Sequence, residues 1–226
     1  MAGRESEAED DGGKLRQLPP GRHGLSREFV TRNQRERLIA GTIASVAEQG
    51  FRDTSVTQIA AAAGVSRRTF YGYFATKEEC FSATFDLLGR HLFKALRESG
   101  GSARGWSTKV RARIDTLLDF LVANPDLVRF SMVAPPGAGG EIAERGRTFL
   151  RELVDQLIEG HPAPRGRGDR TAVELEAMAG AISSVLAAKV TAGEGERLNE
   201  AAPQLVELTL APFVGRRRAA GEAEKG

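Results

Sequence analysis

Three polar side chains in a row, Arg67-Arg68-Thr69, directly follow Ser66; Tyr71 and Tyr73 come next, and Lys77 lies beyond. Their common chemistry is hydrogen-bond donation to flat or anionic acceptors. An arginine fork matches guanine O6 and N7 in the DNA major groove. Thr69 offers a hydroxyl and a methyl, which suit a base edge or a thymine methyl. Tyr71 and Tyr73 could donate to phosphates on either side of the groove, although both are also packing candidates. Lys77 falls at an expected helix start, where its charge and the free backbone N–H groups suit a phosphate. Catalytic groupings do not emerge. His23, His91 and His161 lack metal-ligand spacing, and Cys80 is the single cysteine. Neither a G-x-S-x-G elbow nor a glycine-rich phosphate loop after a strand occurs. No catalytic residue, metal ligand or cofactor is therefore assigned.

These side chains need a frame, and residues 54–77 supply its signals. Ser55-Val56-Thr57-Gln58 reads as a capping box that opens a short helix. In that helix Ile59 and the small Ala60 and Ala63 allow a second helix to come close. Gly64 can take the left-handed conformation a tight turn requires. Ser66 is an N-cap for the second helix, and Val65 and Phe70 point back into a small core. Two short helices joined by a turn containing glycine form a helix-turn-helix, whose second helix meets base edges with its first residues. Thr76-Lys77-Glu78-Glu79 is a second capping box and opens a long helix with Phe81, Phe85, Leu88 and Leu92 on one face.

Through Ile59-Ala60, Ala63-Gly64-Val65-Ser66, Phe70-Tyr71, Tyr73-Phe74 and Lys77-Glu78, the chain resembles the TetR (tetracycline repressor-like) family of bacterial transcriptional regulators over about residues 26–85. The resemblance implies an all-helical homodimer with an N-terminal DNA-binding domain of three helices and a larger regulatory domain. It also implies that a small ligand in the regulatory domain releases DNA. The family's DNA-contact positions correspond here to Thr54, Ser66, Arg67, Arg68, Thr69, Tyr71, Tyr73 and Lys77. No ligand residue is implied, because the regulatory domain has no family-wide motif. Cys80 stands where leucine is often found and reads as a small core side chain.

The rest of the chain agrees with an all-α fold. Of its 226 residues, 41% are hydrophobic and 27% charged, with a formal net charge of +2. The small net charge hides a reversal, from an acidic run at 5–11 to Lys14, Arg16, Arg22, Arg27, Arg32, Arg35 and Arg37. Residues 1–25 read as a disordered charged arm, 26–76 as the helix-turn-helix domain, 77–214 as a helical regulatory and dimerisation domain, and 215–226 as a disordered tail. Gly50 should close the first helix at about Gln49, and Gly100-Gly101 the long one. No apolar run approaches the roughly 20 residues that span a bilayer, so the expected location is the cytoplasm, at operator DNA.

Apolar stripes later in the chain supply the regulatory candidates. A ligand cavity between helices could be lined by Phe85, Leu88, Phe120, Phe130, Met132, Phe149 and Met178, although each taken singly reads first as a packing residue. The expected effector is small and apolar or amphipathic. The last two helices, around 175–190 and 205–213, carry apolar stripes with small Ala177, Ala181 and Ala188, and are expected to pair with their symmetry mates. Such a dimer would read a near-palindromic operator on double-stranded DNA. A DNA-binding protein that answers no ligand, or one that activates, is the alternative; an enzyme is the reading with least support.

Overall fold

The structure, a computed structural model, describes residues 27–101, 103–133, 140–161 and 170–224. The expected arm at 1–25, the Pro135-Pro136-Gly137 loop and the Gly/Pro-rich stretch at 162–169 lie outside the described residues. Ten α-helices are described: α1 (Arg27–Asp53), α2 (Val56–Ala62), α3 (Arg67–Tyr71), α4 (Lys77–Ser99), α5 (Trp106–Ala123), α6 (Pro125–Val133), α7 (Gly140–Ile158), α8 (Arg170–Thr191), α9 (Ala202–Val214) and α10 (Arg216–Ala223). A 3₁₀ helix, Gly195–Ala201, precedes α9, and no strand occurs among the described residues. The all-α expectation therefore holds.

The helix ends follow the local signals. Ser55 Oγ accepts from the Gln58 N–H, and Gln58 Oε1 accepts from the Ser55 N–H at 2.8 Å, so both halves of the capping box are present. At Gly50 the backbone turns to φ 83°, which interrupts α1 where glycine alone avoids a Cβ clash. The second capping box is only half made: Thr76 accepts from Glu79 N, but the Glu79 carboxylate reaches Ala75 N instead of the cap residue's own N–H.

Two packed clusters divide the interior. The smaller joins Leu38 and Ile39 of α1, Ile59 and Ala63, Phe70, Phe74, and Cys80 and Ala83 of α4. The larger runs from Phe81, Phe85 and Leu92 of α4 through α5, α6 and α7 to α8, α9 and α10. Val46 and Phe51 of α1 belong to this second cluster, so the first helix is rooted in both. The expected boundary after residue 76 thus falls at the start of α4, yet the two parts interlock through α1.

One expectation is corrected. The sequence predicts a disordered tail at 215–226, but Arg216–Ala223 form α10, whose Ala219 and Ala223 are buried against the larger cluster. Arg111 of α5 donates to the Glu222 and Ala223 carbonyls and so holds the end of the helix. Two small residues four apart are enough to seat a helix whose other face is charged.

Candidate nucleic-acid interface

α3 is a five-residue helix held at both ends. Ser66 Oγ accepts from Thr69 N at 3.0 Å, and the two hydroxyls lie 2.9 Å apart. Phe70 is fully buried and packs edge-on against Tyr71 and tilted against Phe74. Anchoring one side of the helix in this way turns the opposite side to solvent. Arg67 and Arg68 are exposed, and among the described residues neither has an ion pair. Tyr71 is 52% exposed; among the described residues Val173 in α8 is the other exposed large hydrophobic side chain. Two guanidinium groups and a phenol thus stand on one short helix with their donors unspent.

The turn ahead of α3 is tied from α1. Gly64 adopts φ 62°, and Arg37 Nη2 donates to its carbonyl at 3.0 Å. Arg35 of the same helix lies over the Phe74 ring, 5.4 Å from its centre. These two arginines, counted in the basic run at 14–37, spend part of their reach on the domain itself, whereas Arg32 is exposed.

The other expected contact residues are placed differently. Thr54 is buried, and its hydroxyl is shared between the Gly50 and Ser45 carbonyls. Tyr73 is half-buried and donates its hydroxyl to Gln34 Oε1 at 2.9 Å. Lys77 Nζ is surrounded by carbonyls of Phe51, Arg52 and Thr54. The structure therefore brings Ser66, Arg67, Arg68, Thr69 and Tyr71 together at one exposed helix, and engages the side chains of Thr54, Tyr73 and Lys77 within the protein.

Sequence reasoning passed over Gln34 and Gly41, and counted Arg37 only as part of the basic run. A Cβ on Gly41 would stand 2.8 Å from Ile59 O and 2.9 Å from Ala63 N, so this glycine lets α2 lie directly against α1. A glycine inside a helix lowers its stability, and that cost was the one available signal of a packing reason.

In the larger part of the molecule the expected cavity residues mostly pack on one another. Phe85, Phe130 and Phe149 are buried, with ring centres 5.4 Å apart for the first two and 5.3 Å for Phe85 and Phe149. Met178 is buried, Leu88 and Phe120 are half-buried at the edge, and the Met132 side chain lies outside what is described. Beside Phe85 a groove of about 390 Å³ opens between α4 and α7, bordered by Gly89, Arg90, Phe93, Arg97, Arg145 and Glu152. Arg145 pairs with Asp86 and Glu152, and Arg97 donates to Gln156. The groove thus has an aromatic floor and a rim on which Arg90 meets no carboxylate among the described residues.

Residues 38–84 match the family model for bacterial regulatory proteins of the tetR family. The whole fold is similar to the fatty acid degradation regulator FadR from Bacillus halodurans, with a TM-score of 0.67 at 20% identity, covering 80% of this chain and 98% of that one. It is also similar to the transcriptional regulator FadR from Bacillus subtilis, solved in complex with stearoyl-CoA, with a TM-score of 0.64 at 17% identity over 80% and 98% of the two chains. SmeT, the repressor of the Stenotrophomonas maltophilia multidrug efflux pump SmeDEF, gives a TM-score of 0.60 at 18% identity, covering 81% and 91%. At such identities the likeness is one of fold.

Proposed function

We propose, from the match of residues 38–84 to the family model for bacterial regulatory proteins of the tetR family, that the chain is a sequence-specific transcriptional repressor, without catalytic activity, released from its operator by a small ligand. The observation that carries this reading is the pairing of a fully buried Phe70 with exposed, unpaired Arg67 and Arg68 on the same short helix. A helix anchored behind and lined with arginine in front is suited to the major groove. Arg67, Arg68 and Thr69 read base edges, Ser66 orients Thr69, and Tyr71 donates to phosphate. Tyr73 can donate to a phosphate only by releasing Gln34. Residues 26–76 act as the DNA-binding unit and 77–214 as the regulatory one, with α10 added to the latter.

The protein works as a homodimer in the cytoplasm. Support comes from α8, where Val173, Ala177, Gly180, Ser184 and Ala188 form an exposed, uncharged stripe at helical spacing. Small side chains there permit two copies of α8, with α9 beside them, to approach closely. Two-fold symmetry then sets the recognition helices about 34–36 Å apart, or a multiple of that, on a near-palindromic site.

The groove between α4 and α7 is the proposed entry for the effector. Its aromatic floor and arginine rim suit an amphipathic molecule, and the similar folds include one solved with stearoyl-CoA and SmeT solved with triclosan. A protein that binds DNA without any effector is the second reading, favoured by the ring-to-ring packing of Phe81, Phe85, Phe130 and Phe149.

Selection of bound fragments from genomic DNA tests the central reading. A shared near-palindrome is expected, and Arg67→Ala should weaken its binding by about 1–3 kcal/mol and relax preference at particular base pairs. Uniform binding to all fragments, unaltered in Arg67→Ala, would refute sequence-specific recognition by α3. Fragments released by no amphipathic compound would favour the second reading.

A further inference from the structure

Lys77 is the first residue of α4, and a cation there faces the positive end of that helix's dipole. Glu78 and Glu79 in the same turn offset part of this conflict. The rest of the compensation comes from another helix. Nζ donates to Phe51 O at 2.9 Å, Arg52 O at 3.2 Å and Thr54 O at 2.8 Å, and lies 4.5 Å from the centre of the Phe51 ring. These carbonyls belong to the end of α1 and its link to α2, where a helix presents its partial negative charge. An ammonium has three donors and all three are matched, so a phosphate could be gripped only by giving up one of them.

The surrounding residues make the same stretch stiff. Gly50 halts the helix, and the buried Thr54 hydroxyl closes on its carbonyl at 2.7 Å. Phe51 packs edge-on against Phe81, one turn into α4, with ring centres 4.8 Å apart. Residues 50–54 are therefore held to α4 by one cation and one aromatic pair. The same α4 borders the proposed effector groove at Phe85, Gly89, Phe93 and Arg97.

We propose that Lys77 is a positioning residue: it locks the helix-turn-helix to α4 and so sets the separation of the two recognition helices in the dimer. A shift of α4 along its axis carries the 51–54 carbonyls with it, and α2 and α3 follow. The inference rests on the dimeric reading above.

The test compares the full-length protein with Lys77→Met and Lys77→Arg on three duplexes: the selected operator, the operator with its half-sites one base pair closer, and the operator with them one base pair further apart. A duplex with one half-site serves as reference. Lys77→Met is expected to bind the native spacing about tenfold more weakly and to lose most of its preference among spacings. Single half-site binding and the salt slope should match the original protein, and Lys77→Arg should recover part of the spacing preference. A salt slope reduced by about 1 with spacing preference intact would identify a phosphate contact and overturn the proposal. Equal weakening on every duplex, half-site included, would reduce Lys77 to a scaffold residue and also overturn it. Sedimentation separates the two readings: a monomeric original protein overturns both, whereas a dimeric Lys77→Met with full spacing preference overturns this one alone.

Discussion

Cys80 lies where α4 crosses α1, with its Sγ 3.1 Å from Thr42 Oγ1 and 3.9 Å from the Leu38 carbonyl. Burial pushes its thiol up from 9.0 to about 11, with the Thr42 hydrogen bond pulling the other way. The neutral thiol is thus retained in the folded protein after the unfolded chain has released its proton. Stability from this residue is complete below pH 9 and falls as pH rises from about 9 to about 11, by at most about 3 kcal/mol. Urea melts of the protein and of Cys80→Ala across that range should diverge, the variant losing less stability; parallel curves would remove Cys80 as the cause. The same burial makes it a packing residue rather than a redox sensor, in line with its reading as a small core side chain where leucine is often found. Arg67 and Arg68 were equally legible, because a residue in the first turn after an N-cap faces solvent unless something covers it. Thr54, Tyr73 and Lys77 were not, since a polar side chain reads the same whether protein or DNA satisfies it.

Among the elements, α1 and α2 show how a weakness in helix propensity can serve packing. Gly41 interrupts a run of better helix formers, and in isolation Gly41→Ala would strengthen α1 by roughly 0.5–1 kcal/mol. Here the new methyl would press on the Ile59 carbonyl and the Ala63 amide, both backbone atoms that cannot turn aside. The substitution should therefore lower stability by about 1–3 kcal/mol and weaken DNA binding in step, as thermal unfolding and mobility shift would record. A variant as stable as the original would mean that α2 can retreat from α1 at little cost. Capping boxes, the Gly64 turn and the apolar stripes made α1 to α4, α8 and α9 visible beforehand. α10 escaped because its seat depends on Ala219 and Ala223, which carry too little apolar surface to stand out in a charged tail.

For the whole molecule, the decisive feature is that α1 is rooted in both clusters, so the helix-turn-helix part and the larger helical part cannot move as wholly separate bodies. The dimer is what would make such coupling useful, because only a pair of recognition helices has a spacing to change. Gly180 offers a direct test, since a Cβ there meets nothing within one protomer. Gly180→Leu should leave unfolding of the protomer nearly unchanged and halve the molecular mass measured by light scattering at micromolar concentration. A variant that stays dimeric would move the interface away from this face of α8.

Read alone, the sequence determined the helical class, the helix-turn-helix and the outward face of α3, because caps, turns and periodicity act within a few residues of one another. What only the tertiary structure decided was which of the polar side chains are engaged within the protein and which stay exposed. The partners of Lys77, Arg37 and Tyr73 lie 23 to 39 residues away along the chain, and no local pattern announces them. The close approach at Gly41, the packing of Phe85 on Phe130 and Phe149, and the seating of α10 were settled in the same way, by surfaces that meet only after the helices have folded against each other.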